Sequence, residues 1–211
     1  MNELTGDMEL TGTKERLFDI AIRLISTNGF ENVSMRDIAN ETGIKAASIY
    51  NHFSSKEEIL DTIYNYYRIH RLDNRNSIEH IKTTIEHGSA FEIIKVLSGI
   101  DFNREETKSV RLILIAKIIL MRIFKDQKAN QFFLHDWYEI DIEHLKKWLN
   151  YAVEIGRVER TFNAENFSIF FWRQMVMMGI WAFANPNHEI IEERKNLFEM
   201  FAGLLPLKEI P

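Results

Sequence analysis

Over residues 13–27 the apolar positions Leu17, Ile20, Ala21, Leu24 and Ile25 recur at spacings of three and four, one stripe along a helix. Asn28-Gly29 ends it, with the glycine expected in the left-handed region and Phe30 as the apolar residue that follows such a cap. Ser34 with Asp37 three residues on is a capping-box pattern and opens a second helix, which Gly43 stops. Its inward residues are Met35, Ile38, Ala39 and Thr42. A third, short helix is expected over 45–52. A fourth opens at Ser55 with a second capping pair, Ser55 and Glu58, and runs through Ile59, Leu60, Ile63, Tyr64 and Tyr67 toward Asn76.

The pattern continues with helices near 77–87, 90–98, 104–125, 129–155, 163–184 and 188–204, broken at Gly88, Gly99, Gly156 and the turn Asn185-Pro186-Asn187. Prolines occur only at 186, 206 and 211, so nothing breaks a helix before them, and the fold class is all-α. The run LILIAKIILM within 104–125 is apolar nearly all round and predicts a central helix covered by its neighbours. The segment 167–184 is the most membrane-like, but Arg173 and Gln174 sit near its middle. A central arginine costs about 2.5–3.5 kcal/mol on insertion, so a buried helix and no membrane partner are expected. ELTG occurs at 3–6 and again at 9–12, which reads as a flexible arm over 1–12. The organisation expected is that arm, a small helical domain over 13–60 and a larger helical domain over 61–211.

Composition narrows the chemistry. Of 211 residues, 45% are hydrophobic and 12% aromatic, the balance of a chain with a real core. Cysteine is absent, which removes disulfides, thiolate metal sites and cysteine nucleophiles and fits the cytoplasm. The opening MNELTGDMELTGTKER lacks the basic start and apolar run of a secretion signal. His80 with Glu79 and His87, or His135 with Glu139, have no recognised metal-ligand spacing, and Asp141 with His144 makes no recognised catalytic pair. No phosphate-cradling glycine loop or nucleophile elbow occurs. No cofactor and no enzymatic activity are therefore expected.

The second and third helices with the turn at Gly43 have the dimensions of a helix-turn-helix. Ala39 permits a close crossing, Gly43 supplies a positive φ, and Ile38, Ile44 and Ile49 form the small core between them. That leaves Lys45, Ala46, Ala47, Ser48, Tyr50 and Asn51 outward. Such a face suits a DNA major groove: methyl side chains allow close approach and contact thymine methyls, while asparagine and lysine hydrogen-bond base edges. Ser48, Tyr50 and His52 have groups that bind phosphate. Lys56 and the free amides at the start of the fourth helix, and Ser34 at the start of the second, make further anion sites. Charge opposes this reading. Net charge is −5, and residues 13–60 hold Lys14, Arg16, Arg23, Arg36, Lys45 and Lys56 against Glu15, Asp19, Glu31, Asp37, Glu41, Glu57 and Glu58, whereas phosphate affinity depends on local cations. The acids would have to lie on the far side.

The run RLFDIAIRLISTNGFENVSMRDIANETGIKAASIYNHFSSKEEIL resembles the DNA-binding domain of the TetR/AcrR family of bacterial transcriptional regulators, through its NGF turn, MRDIA helix, glycine turn, SIYNHF and SKEEIL at consistent spacing. The resemblance implies an all-helical homodimer that binds a palindromic double-stranded DNA operator and responds to a small-molecule effector, as a repressor. It implies Arg36, Lys45, Ala46, Ala47 and Asn51 at base edges and Ser34, Ser48, Tyr50, His52 and Lys56 at phosphates. Members often have a basic or polar residue where Ala46 stands and serine or threonine where Lys45 stands, so base preference does not carry over.

The same resemblance implies that residues after the fourth helix bind the effector and form the dimer. The segment GRVERTFNAEN resembles the turn before the two helices that pair with their mates in a four-helix bundle, which assigns Phe167, Phe170, Phe171, Met178, Trp181, Phe198 and Phe201 to the dimer interface. An effector pocket is expected to be largely apolar with a few polar groups. Met121, Phe124, Trp137, Tyr138, Trp172 and Met175 are candidate walls, and Arg111, His135, Arg173 and Gln174 candidate polar groups; plain core packing is the alternative for each aromatic. The rival functions are a helical protein-interaction module without DNA binding, which the acidic balance of 13–60 keeps open, and a small enzyme working in the C-terminal pocket.

Overall fold

The computed structural model describes residues 10–73, 77–99, 106–185 and 190–208. Helix α1 (Gly12–Asn28) is the first element among the described residues, followed by α2 (Met35–Thr42), a single 3-10 turn at Ser48–Asn51, and α3 (Lys56–Asp73). Then come α4 (Ile78–His87), α5 (Ala90–Ser98), α6 (Glu106–Arg122) and α7 (Gln127–Gln131). A π-helical stretch over Phe132–Glu139 leads into α8 (Ile140–Glu154), and α9 (Ala164–Ala184) and α10 (Ile190–Gly203) complete the chain. The fold is all-helical; among the described residues the β pairing is one isolated bridge, Val158 to Leu207. The first ELTG copy, the end of the fourth predicted helix and Pro186 with Asn187 lie outside the described residues.

The chain divides into two compact units. The first combines residues 1–73 with 105–133, so α6 and α7 join α1, α2 and α3, and this unit takes in more than residues 13–60. Here α1 packs on α2, α3 and α6, and α3 packs on α6. The buried face of α1 is Leu17, Phe18, Ala21, Ile22 and Ile25, rotated from the predicted stripe because neighbours cover the helix from several sides; Ile20 and Leu24 are only part-buried. On α6, Ile115, Ile118 and Ile119 are buried while Val110, Ile113 and Met121 are exposed, so the all-round apolar run is covered on one side and not enclosed.

The second unit combines residues 74–104 with 134–211. In it α8 packs on α9, α5 on α10, and α4 on α5. Its core holds Ile85, Ile93, Leu97, Leu149, Phe171, Phe198 and Phe201. Gly88 is needed for space: a Cβ there would lie 2.6 Å from the Thr84 carbonyl oxygen. Helix α9 is, by length and composition, apolar enough to cross a membrane, yet only 22% of its most apolar window is buried within the chain. It is therefore not the enclosed helix expected from sequence, and Arg173, pointing to solvent, has no burial cost to offset.

Candidate nucleic-acid interface

The α2 cap forms as the sequence pattern requires. The Ser34 hydroxyl accepts from the Asp37 N–H at 3.2 Å, and the Asp37 carboxylate accepts from the Ser34 N–H at 2.9 Å and the Ser34 hydroxyl at 2.6 Å. Those hydrogen bonds hold the Asp37 carboxyl below its ordinary value. At the other end Gly43 is left-handed, φ 78 and ψ 25. Ile44 N–H donates to the Ala39 carbonyl at 3.0 Å and Gly43 N–H to that of Asn40 at 3.0 Å, the paired closure of a Schellman turn.

That turn delivers the chain into a segment shorter and tighter than the α-helix expected over 45–52. Ser48 N–H donates to Lys45 O at 2.8 Å and His52 N–H to Ile49 O at 2.9 Å, i→i+3 bonds of a 3-10 turn. The difference is one of length. Ile49 and Phe53 are both buried, at 0% and 1% exposure, and only a handful of residues separate them from the Gly43 cap. With Ile49 anchored inward, Lys45, Ala47, Tyr50 and Asn51 are exposed, and Ala46, Ser48 and His52 are part-buried. Arg36 and Ser34 at the start of α2 are exposed as well.

The expected phosphate donors at the helix starts are already engaged. Both Ser34 donors serve Asp37. At α3 the Ser55 hydroxyl accepts from the Glu58 N–H at 3.1 Å, but the Glu58 carboxylate returns to Ser54, whose N–H donates at 2.7 Å and whose hydroxyl donates at 2.6 Å. The predicted box is thus shared between two serines. Lys56 donates from Nζ to the Phe30 carbonyl at 2.6 Å and lies 4.2 Å from the Phe30 ring centre.

Three acids of 13–60, Glu15, Asp19 and Glu31, find cationic partners outside that segment. Arg111 of α6 reaches Glu15 at 2.8 Å and Asp19 at 2.6 Å. Although burial works against its charge, hydrogen bonds to Asp19, Tyr66 and Glu15 raise the guanidinium above its ordinary value. Arg122 bonds Glu31 at 3.0 Å and Asp126 at 2.6 Å, with its guanidinium carbon 4.2 Å from the Phe30 ring centre. Arg23 pairs with Glu41. These pairings turn most of the troublesome carboxylates into internal partners. Arg111, a pocket candidate by sequence, is a clamp on α1, and Arg122 was missed; the Arg122–Asp126 pair at i,i+4 was the one signal a sequence carried for it.

Of the remaining pocket candidates, Met121 and Phe124 are exposed, Phe124 at 91%, and belong to the first unit. In the second unit Trp172 has Tyr138 against it at 4.9 Å and Trp137 at 6.2 Å, both edge-on. The Trp172 indole N–H donates to Asp141 Oδ2 at 3.3 Å. His135 Nδ1 lies 2.7 Å from Glu139 Oε2 on the surface, Arg173 is exposed, and Gln174 and Met175 are part-buried. Among the proposed dimer residues, Phe167, Phe171, Phe198 and Phe201 are buried in the chain's own core, a correction to their assignment as surface. Phe170 and Trp181 are exposed at 46% and 40%, Met178 is part-buried, and Met177, Ile180, Met200 and Leu204 join the exposed apolar set.

The helix-turn-helix of the first unit is the feature through which the chain compares with known proteins. Residues 17–63 match the family model described as bacterial regulatory proteins, tetR family. An uncharacterized HTH-type transcriptional regulator of Bacillus subtilis, YerO, is 29% identical over 139 residues, 65% of this chain and 44% of that protein. The transcriptional repressor KstR2 of Rhodococcus jostii is 35% identical over 85 residues, 35% of this chain and 42% of the repressor. The aligned stretch thus spans less than half of each of these relatives. The structure of the ketosteroid transcriptional regulator KstR2 of Mycobacterium tuberculosis superposes with a TM-score of 0.71 at 17% identity, over 95% of this chain and 98% of that one. A transcriptional regulator from Saccharomonospora viridis in complex with choline gives 0.68 at 19% identity, over 93% and 98%. The match to the tetR family model thus covers the helix-turn-helix segment, and the likeness to these solved regulators is one of fold over nearly the whole chain.

Proposed function

We propose that the protein is a cytoplasmic, homodimeric repressor that binds a palindromic operator and is released by a small-molecule effector. The observation that carries this is the strip Lys45, Ala47, Tyr50 and Asn51, exposed on a turn whose other side is anchored by Ile49 and locked to α2 by the Gly43 closure. Arg36, Lys45, Ala46, Ala47 and Asn51 meet base edges. Tyr50, Ser48 and His52 meet phosphates, and Lys56 and Ser34 do so only by sharing donors that already serve Phe30 and Asp37. The exposed apolar residues of α9 and α10 support dimerisation. An effector that prefers the form with the wrong spacing between recognition turns depletes the operator-bound form in proportion to its differential affinity.

Gel retardation against the DNA upstream of the protein's own gene is the direct test, with complexes that weaken steeply as salt rises. Failure to enrich any fragment in a genomic selection overturns the proposal. Tyr50→Ala should weaken binding to all sequences alike, whereas Asn51→Ala or Arg36→Ala should lose about 1–3 kcal/mol of preference at particular bases. Two neighbours of similar fold are a ketosteroid regulator and a choline-bound one. So different a pair supports no single effector class, which must come from this chain's own residues.

A further inference from the structure

We infer that Trp137, Tyr138, Trp172 and Asp141 form a seat for a small organic cation of the methylated ammonium type. This deepens the reading of the protein as effector-responsive, and rests on it. Trp137 and Tyr138 stand nearly perpendicular to Trp172, at 79° and 85°, so the three rings present walls in different planes. Aromatic faces carry negative potential and attract a cation, most strongly when several faces converge. Trp172 is itself buried, whereas Trp137, Tyr138 and Asp141 are only part-buried and keep open surface. Asp141 Oδ2 takes the Trp172 indole N–H at 3.3 Å, which fixes a carboxylate at the edge of the rings.

Along the segment that supplies Trp137, Tyr138 and Asp141 the formal charges have one sign. Residues 129–145 carry Asp136, Glu139, Asp141 and Glu143 and no lysine or arginine. Glu139 is held by His135, and Lys146 just beyond turns to Glu143 at 3.1 Å and Glu165 at 3.7 Å. An anionic ligand is disfavoured there, and a neutral apolar one makes no use of Asp141. A hard metal ion needs several oxygen ligands, and among the described residues no group of three or more metal-ligating side chains occurs. A methylated ammonium needs no hydrogen-bond acceptor and spreads its charge over methyl groups that fit ring faces. The backbone is also shaped for this: the π-helical stretch adds a residue to the turn, narrowing the angle between consecutive side chains so that both Trp137 and Tyr138 reach one indole. Such stretches recur at functional sites.

The test is calorimetric titration of the full chain, without DNA, using phenyltrimethylammonium and its neutral isostere tert-butylbenzene. The cation should bind about tenfold tighter or better, the scale of one or two cation–π contacts. Trp137→Leu and Asp141→Asn should each weaken the cation at least about fivefold and leave tert-butylbenzene unchanged, while Asp141→Glu restores most of the loss. Helical circular dichroism and melting should match the parent for Asp141→Asn, which keeps the test valid if Trp137→Leu fails to fold. Equal affinity for the two probes, or parental cation binding in Asp141→Asn, overturns the inference. Because no DNA is present, a protein that retards its operator but ignores the cation sinks only this inference. One that binds the cation but no DNA sinks only the proposed function.

Discussion

Lys56 shows how much one side chain in this domain has to do. Its ammonium caps the Phe30 carbonyl at 2.6 Å and lies over the Phe30 ring, tying the start of α3 to the turn after α1. A charge-assisted hydrogen bond with a part-buried partner and a cation–π contact together imply a loss of about 1–2 kcal/mol for Lys56→Met. Chemical denaturation measures it; an unchanged midpoint would show that the lysine is free for phosphate after all. Asp37 and Glu58 carry a second residue-level consequence. Both carboxyls are held below their ordinary values by the serines that they cap. A depressed folded value means stability that is present above the unfolded value and lost as pH falls through the folded one. Below about pH 4, the unfolded carboxylate range, the first turns of α2 and α3 should loosen. Hydrogen exchange at the Asp37 and Glu58 amides, corrected for the intrinsic pH effect, should accelerate there, and flat protection would refute the cap argument. Gly88→Ala belongs here too. A methyl 2.6 Å from the Thr84 carbonyl must displace the loop whose own carbonyl takes Arg157 Nη2 at 2.8 Å, at about 1–3 kcal/mol by melting.

At the scale of elements, α6 is what makes the N-terminal helices electrostatically viable. Arg111→Gln would leave Glu15 and Asp19 facing each other without their shared cation. The cluster is part-buried, between the exposed pairs worth under 1 kcal/mol and the buried ones worth several, so about 1–2 kcal/mol is expected. In a cycle with Asp19→Asn the two losses should fall short of additive by about 1 kcal/mol; strict additivity would mean no direct coupling. This clamp also marks the limit of what sequence showed. Local signals placed nearly every helix, because caps, glycine stops and three-four spacing are encoded by neighbours: Ser34 with Asp37, Gly43, Ser55 with Glu58. The short outward strip at 45–51 was legible for the same reason. Pairings such as Arg111 with Asp19 join residues far apart in the chain, and no spacing rule encodes them. The 3-10 geometry at Ser48–Asn51 and the π-helical stretch at Phe132–Glu139 were likewise hidden, since both are set by what the turn must pack against. Asp141 was visible only as a neighbour of His144, and the hydrogen bond that it accepts from Trp172 on another helix was not.

At the scale of the whole molecule, the exposed apolar residues of α9 and α10 call for a partner surface. Phe170, Met177 and Trp181 follow one another along α9 at seven- and four-residue spacing, with Ile180 beside them, Met200 on α10 and Leu204 just after it. Phe167, Phe171, Phe198 and Phe201 are spent inside the chain's own core, so the exposed apolar groups of this face are where the proposed dimer rests. Ile180→Glu puts a carboxylate in the middle of that face and should convert the protein to monomers by light scattering, at 25.0 kDa where the parent reads about twice that mass for a two-fold dimer. Because Ile180 is 43% exposed, the substitution should leave helical content and melting of the monomer nearly intact. The consequence then reaches the DNA. A dimer engages both half-sites with one association event, and separating the copies loses that effective concentration, about a hundredfold or more in apparent affinity. Ile180→Glu should therefore abolish operator retardation at concentrations where the parent is saturated, although every residue of the strip at 45–51 is unchanged. A parent that is monomeric, or an Ile180→Glu protein that still dimerises and binds, would place the partner surface elsewhere on the body.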